Sequence, residues 1–216
     1  MHGTLYVYLT DTLSDWELAY LMPALHMARD AGQYTGFQLR TVANTVQPVR
    51  TAGGLTILPD CRIEHIDQQT IAGLILPGAD SWAAAEHQPV LEQAEQCLER
   101  GQLLAAICGA TLALADRGLL EQRLHTSNSL QYLAGLSATY RGQANYRTQL
   151  AVSDGNLITA SAAGALLFAR KVLEYFSALP APMIEAWYDY HLTGDARYFM
   201  TFSHLKDTWT AQRAGL

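Results

Sequence analysis

Cys108 stands where a cysteine thiol could act as a nucleophile. It follows the apolar run 103–107, which predicts a buried strand, and it precedes Gly109 and a helix-forming stretch. A side chain on such a tight turn is exposed above the carboxyl end of a central strand. Unpaired amides at the helix start favour an anion there, so the pattern predicts a lowered thiol pKa. The alternative is a small buried hydrophobic residue, as most free cysteines are.

Backbone amides at the ends of neighbouring strands would complete this centre. The apolar run 71–76 ends in a turn that contains Gly78 and Ala79, and their amides could join that of Gly109 in an oxyanion hole. Alternatively, the segment is an ordinary strand-ending turn.

Glu17 lies one loop after the first predicted strand, so its carboxyl group could reach the same crevice. A burial-raised pKa would keep it protonated and able to donate to a thiolate. The competing interpretation is a helix-capping box, since Ser14 and Glu17 have the required spacing.

A general base beside Cys108 is not identified by the residues alone. His125 is the preferred candidate and His191 is the other, although a lone histidine is more often structural or solvated. The remaining histidines have no spacing typical of metal ligands, and no phosphate-binding or dinucleotide-binding loop is present, so neither a metal nor a cofactor is expected.

The elements that would position these residues alternate between strands and helices. Short apolar runs separated by helix-period stretches predict an α/β three-layer sandwich, with a mostly parallel central sheet and helices on both faces. Pro23 predicts a kink or a break in the first helix, and an Asp-Gly-Asn turn at 154–156 predicts a hairpin. The predicted strands are 5–9, 37–43, 71–76, 103–107, 149–152 and 157–159, with a hairpin over 49–58; the predicted helices are 14–31, 88–100, one beginning at 110, and 162–178.

Composition narrows the function classes. Of the 216 residues, 50% are hydrophobic and 16% are charged, which suits one domain over 1–216 with a helical, aromatic extension over 183–216. The net charge of -6 with scattered basic residues argues against a nucleic-acid partner. The amino terminus resembles neither a signal peptide nor a membrane span, and three cysteines without paired spacing favour a reducing, cytoplasmic location.

Taken together, four segments resemble the ThiJ/PfpI family, whose fold is related to that of class I glutamine amidotransferases and of flavodoxin-like proteins. The likeness extends from residue 1 to about 178, and the combination is more specific than any one segment. It implies Cys108 as nucleophile, Glu17 as its acidic partner, and Gly78, Ala79 and Gly109 as oxyanion donors. The segments are Ser-Asp-Trp-Glu-Leu-Ala at 14–19, Gly-Gly-Leu-Thr-Ile-Leu-Pro-Asp at 53–60, Leu-Ile-Leu-Pro-Gly-Ala at 74–79 and Ala-Ala-Ile-Cys-Gly-Ala-Thr at 105–111.

Departures from the family pattern limit what the resemblance implies. PfpI-type proteases have His directly after the cysteine, where this chain has Gly109. In the deglycase-like branch a His follows a Thr pair, and Ser127 is the nearest match here, with His125 two residues earlier. The glutaminase pattern of His followed by Glu is not met at His191.

Three functional hypotheses follow. The leading one is a cysteine-dependent enzyme that acts on a small carbonyl or amide compound, as a hydrolase, amidotransferase or deglycase/glyoxalase. The second is a redox sensor or stress-response protein in which Cys108 is oxidised without turnover. The third is a glutaminase-like module attached to a synthetase. A homodimer is expected from the resemblance and from the apolar tail.

Overall fold

A seven-stranded sheet lies at the centre of the computed structural model, which describes residues 3–30 and 37–214. Its strand order is β5-β2-β1-β6-β7-β9-β8. All neighbouring pairs are parallel except β8 and β9, which form the predicted hairpin. A separate antiparallel pair, β3 and β4, forms the other predicted hairpin. The strands are β1 (Gly3–Tyr8), β2 (Phe37–Ala43), β3 (Val49–Arg50), β4 (Thr56–Ile57), β5 (Cys61–Arg62), β6 (Ile71–Leu76), β7 (Leu103–Ile107), β8 (Ala151–Asp154) and β9 (Leu157–Ala160).

Helices cover both faces of this sheet, as the alternation of apolar runs predicts. The sheet residues divide by pleat between two cores, because successive side chains of a strand point to opposite faces. Leu5 and Ile75 belong to the core that also contains α2 and α6, whereas Tyr6 and Leu76 belong to the core that contains α3 and α4. The helices are α1 (Asp15–Leu18), α2 (Leu21–Asp30), α3 (Gln88–Glu99), α4 (Gly109–Asp116), α5 (Leu130–Leu136), α6 (Ala165–Phe176), α7 (Ala181–Thr193) and α8 (Ala196–Ala214).

The chain between β1 and β2 confirms the predicted break in the first helix. Two helices, α1 and α2, replace one continuous helix, and Pro23 lies in the first turn of α2, where a missing amide hydrogen costs little. The structure adds two elements that the sequence pattern did not predict, the short edge strand β5 and the helix α5.

The carboxy-terminal extension packs on the sheet's helical layer. Met183 and Trp187 of α7 and Trp209 of α8 are buried in the same core as α2 and α6. The extension therefore contributes to the same core as the rest of the domain. Within the described residues, no helix combines the length and apolar character needed to span a membrane.

The sheet topology brings three strand ends together. β1, β6 and β7 are adjacent and parallel, so their carboxyl ends meet at one edge. The segments that follow them carry Glu17, which lies on α1, Gly78 and Cys108. Crevices at the carboxyl ends of parallel strands are where open α/β sheets bind ligands.

Candidate active site

Cys108 occupies a strained turn between β7 and α4. Its φ of 57° and ψ of -123° are unusual for a residue with a side chain, and it is the N-cap of α4. Such a conformation costs of order 1–3 kcal/mol and persists only where the surrounding structure imposes it. The backbone nitrogen is held by the carbonyl of Ala160 at 2.9 Å, and the carbonyl of Cys108 accepts a hydrogen bond from the Thr111 hydroxyl at 2.6 Å. The predicted sharp turn is therefore present, with the thiol partly exposed.

Glu17 is completely buried beside this turn. Its Oε2 accepts a hydrogen bond from the Gly78 amide at 2.5 Å, while Oε1 is buried without a well-formed hydrogen bond from any described residue. Ser14 donates its amide to the Gly78 carbonyl at 2.9 Å and makes no side-chain cap. The capping-box interpretation of Ser14 and Glu17 is therefore wrong, because the carboxyl group bonds to the next strand's loop.

Close packing explains why residue 78 is glycine. A Cβ atom there would lie 2.8 Å from the Cβ of Cys108 and 2.8 Å from both carboxyl oxygens of Glu17. These distances are shorter than van der Waals contact, so any side chain would displace the thiol or the carboxyl group. The same distances show that Cys108 and Glu17 are immediate neighbours.

The carboxyl group and the thiol influence each other's ionisation. Burial raises the pKa of Glu17, against the hydrogen bonds from Gly78 and Cys108, which lower it. Burial also raises the pKa of Cys108; Asn128 lowers it by hydrogen bonding, and the negative charge of Glu17 raises it. Ionised Glu17 repels a thiolate, whereas protonated Glu17 can donate a hydrogen bond to one. The two groups therefore titrate as a coupled pair.

The sequence pattern predicts a lowered pKa for the Cys108 thiol, and this prediction is wrong, because the pKa is raised. The start of α4 does supply a Gly109 amide that favours the thiolate, but burial of the sulfur is the larger effect. A strand-to-helix pattern cannot show how deeply a sulfur is covered, which is why this prediction failed.

Asn128 is a second polar side chain in contact with the sulfur. Its Nδ2 donates to the Cys108 Sγ at 3.4 Å, and its Oδ1 accepts from the Ala162 amide at 2.9 Å. In the family resemblance, Ser127 is the nearest match to the histidine of the deglycase-like branch. Its hydroxyl group instead bonds to that of Thr111, at 2.7 Å. Asn128 stands one residue further on, and an amide cannot act as a general base.

His125, the preferred base, has both ring nitrogens engaged elsewhere. Nδ1 is 2.7 Å from the carbonyl of Arg123, and Nε2 is 2.7 Å from the hydroxyl of Tyr140. The ring is fully buried, and burial lowers its pKa. His191 packs against Tyr20 and Trp187 instead.

The three expected oxyanion donors differ in whether their backbone amides already have a hydrogen-bond partner and in which residues they lie beside. The Gly78 amide is already committed to Glu17. Gly109 and Ala79 are close together, since a Cβ on Gly109 would lie 3.5 Å from the Ala79 nitrogen and 2.9 Å from its carbonyl oxygen. The Gly78 amide is therefore not free to act as an oxyanion donor, whereas Ala79 and Gly109 remain candidates for this role.

A buried aromatic cluster supports the loop that carries Ala79, and the sequence pattern did not reveal it. The His87 ring bridges the Tyr8 hydroxyl at 2.9 Å and the Ser81 hydroxyl at 3.0 Å, and its centroid is 4.8 Å from that of Trp82. Trp82 in turn donates to the Pro77 carbonyl at 3.0 Å. This cluster fixes the loop between β6 and α3 next to the thiol.

Tyr132, on α5, is a further group near this centre. Burial raises its pKa, and the negative charges of Cys108, Asp116 and Glu17 raise it further.

Elsewhere, Cys61 and Cys97 are buried free thiols. No group of three or more potential metal ligands occurs within residues 3–30 and 37–214.

Comparison with known proteins agrees with this fold. The DJ-1/PfpI family model matches residues 4–175, so the chain belongs to the DJ-1/PfpI family, also called ThiJ/PfpI. This confirms the resemblance drawn from the four sequence segments.

The relatives match between 64% and 94% of this chain. A Bacillus subtilis protein named uncharacterized protease YoaZ is 37% identical over 195 residues, which are 90% of this chain and 93% of the relative. The crystal structure of a ThiJ/PfpI family protein from Bacillus anthracis matches with a TM-score of 0.88 and 36% identity, covering 94% of this chain and 97% of the other. A Caenorhabditis elegans protein named glutathione-independent glyoxalase DJR-1.2 is 24% identical over 140 residues, 64% of this chain and 73% of the relative.

Proposed function

We propose that this protein is a cysteine-dependent enzyme that acts on small carbonyl compounds, with Cys108 as nucleophile. The observation that carries the proposal is the contact between a partly exposed thiol on a strained turn and a fully buried carboxyl group, Glu17, whose pKa is raised by burial. Perturbed titratable pairs in a crevice are typical of active sites.

In the first step, Cys108 Sγ bonds to the carbonyl carbon, and the π electrons of the carbonyl move onto its oxygen. The Cys108–Glu17 pair supplies the proton that this oxygen takes up, which gives a neutral hemithioacetal. The amides of Ala79 and Gly109 would stabilise the developing negative charge. The amide of Asn128 would orient the sulfur.

For a 2-oxoaldehyde, the ionised Glu17 can then move the proton on C1 to C2, while the hydroxyl proton on the C1 oxygen passes to the C2 oxygen. C1 is oxidised to a thioester and C2 is reduced to an alcohol, so no external oxidant is needed. Water hydrolyses the thioester to a 2-hydroxy acid and returns the thiol. The name of the C. elegans relative supports testing this glyoxalase-type reaction first.

No histidine takes part in this proposal. The ring of His125 is held by Arg123 and Tyr140, so Glu17 carries the proton transfers instead. A buried carboxyl with a raised pKa suits this role, because general acid–base catalysis is most effective when the pKa lies near the working pH.

The test is lactate formation from methylglyoxal by wild type, Cys108→Ala and Glu17→Gln. We expect Cys108→Ala to abolish turnover and Glu17→Gln to lower kcat by about 10²-fold or more. Cys61→Ala is the matched control, since this thiol is buried on β5, away from the crevice. Turnover that survives in Cys108→Ala, or a wild type inactive on every carbonyl substrate, would overturn the proposal.

A further inference from the structure

A groove lies on the other side of Asn128 from the thiol, and its lining combines amide and hydroxyl side chains with apolar surface. It encloses about 390 Å³, within the range of small-molecule sites. Asn128 lines this groove and also donates to the sulfur of Cys108. Ser161, on the same lining, precedes the Ala162 amide that fixes the Asn128 side chain. A molecule in the groove would therefore lie one side chain away from the nucleophile.

The groove lining carries amides and hydroxyls. Gln131, Thr148 and Gln149 are exposed there, and their side chains make no hydrogen bond to the described part of the protein. Each glutamine offers two donors and one acceptor oxygen, and the threonine hydroxyl offers both functions. These groups are therefore available to a ligand that carries several hydroxyl groups.

Tyr146 adds an aromatic ring to the same lining. The ring is half-buried and held edge-on to that of His125, with centroids 5.9 Å apart. Leu130 and Leu150 are the apolar lining residues. Planar amides, hydroxyls and a fixed aromatic ring together suit a ligand with alternating hydroxyl and C–H groups.

Charged ligands are poorly matched to this surface. None of the described residues that line the groove is Lys, Arg, Asp or Glu. Phosphate and carboxylate groups are normally recognised by charge-assisted hydrogen bonds from Arg or Lys, and a desolvated charge without such a partner is costly. The lining therefore favours an uncharged ligand over its phosphorylated analogue.

We propose that the groove binds the hydroxylated, uncharged body of a sugar-like aldehyde or ketone whose carbonyl carbon reacts with Cys108. This inference rests on the proposed function and specifies its substrate class. The reaction it requires is reversible addition, in which the S–C bond forms and the carbonyl oxygen gains the proton lost from the Cys108–Glu17 pair. No oxidant or co-reactant is involved.

The experiment measures how well a carbonyl compound protects Cys108 from alkylation by iodoacetamide. We expect D-erythrose to half-protect the thiol at a concentration at least about tenfold lower than D-erythrose 4-phosphate does. Gln131→Ala and Gln149→Ala should each raise the half-protecting concentration of erythrose by about 3- to 10-fold, the value of one hydrogen bond. Gln122→Ala, at an exposed glutamine outside the groove, is the control and should have no effect.

A non-covalent measurement separates binding from reaction. In Cys108→Ala, saturation-transfer NMR with erythritol, which has no carbonyl group, should detect binding that Gln149→Ala weakens. Erythritol binding without turnover by wild type would overturn the proposed function and support the groove assignment. Turnover of methylglyoxal with equal protection by erythrose and its phosphate would overturn the groove assignment and leave the proposed function standing. Unchanged protection in both glutamine variants would also overturn the groove assignment.

Discussion

Replacing Asn128 tests how the protein controls the ionisation of its candidate nucleophile. In Asn128→Ala the sulfur loses the donor that lies 3.4 Å away, which is a hydrogen bond that lowers the thiol pKa. Hydrogen bonds to charged groups contribute about 1.5–3 kcal/mol, and one pKa unit corresponds to about 1.4 kcal/mol. Because Asn128 is exposed, the low end applies, and we expect the pKa of Cys108 to rise by about one unit.

The assay is the rate of Cys108 alkylation by iodoacetamide, measured across a pH series and read by mass spectrometry at the modified peptide. A rise of one unit lowers the thiolate fraction about tenfold below the pKa, but a more basic thiolate is also about threefold more nucleophilic. The net rate at a fixed pH should therefore fall only about threefold. The midpoint of the pH profile is the decisive quantity.

Asn128→Asp separates the two roles of this side chain. An aspartate keeps an oxygen that can accept from the Ala162 amide, but it replaces the donor by a negative charge beside the sulfur. We expect its thiol pKa to rise more than that of Asn128→Ala, with a smaller loss of thermal stability. A thiol pKa that stays the same or falls in Asn128→Ala would refute the assignment of this amide as the donor that stabilises the thiolate.

Three further changes test the neighbouring groups. Glu17→Gln removes a buried carboxyl group whose pKa is raised in the folded state. The stability of the wild type should therefore fall as pH rises above 4.5, the usual pKa of a glutamate. In denaturant titrations, the free energy of unfolding of the variant should increase relative to that of the wild type between pH 4 and pH 7. Burial lowers the pKa of His87, so the stability of the wild type should fall as pH drops below 6.5, the usual pKa of a histidine. His87→Gln can still donate and accept hydrogen bonds. Its thermal unfolding temperature should therefore decrease less than that of the wild type between pH 7.5 and pH 5. Gly78→Ala forces Cys108 and Glu17 apart and should cost about 1–3 kcal/mol in the free energy of unfolding while changing the alkylation profile.

The controls for these changes come from the same chain. Gly135→Ala places a methyl group where no atom lies within 4 Å, on the helix α5, so it should leave the thiol profile unchanged and not lower stability. Glu64→Gln changes an exposed carboxyl and should not reproduce the pH dependence expected of Glu17→Gln. If Gly135→Ala changed the alkylation profile as much as Gly78→Ala does, the contacts of Gly78 with the thiol and the carboxyl group would not explain the effect. If Glu64→Gln gave the same pH dependence as Glu17→Gln, burial of Glu17 would not explain it.

The order of the elements could be predicted from the sequence because apolar periodicity records which faces are buried. The buried runs that became β6 and β7 predicted a parallel sheet, and the break near Pro23 and the hairpin at Asp154–Asn156 followed from turn chemistry. The small residues after Cys108 predicted its sharp turn. These features depend on neighbours in the chain, so local sequence determines them.

Which groups meet at the thiol was decided only by the tertiary structure. Glu17 and Gly78 are separated by 61 residues, yet strand order places them in hydrogen-bonding contact. The engagement of His125 by Tyr140, the position of Asn128 at the sulfur and the burial that raises the pKa of Cys108 likewise depend on distant segments packing together. Ionisation and hydrogen-bond partners are properties of a three-dimensional environment, and a linear pattern of residue types does not contain that environment.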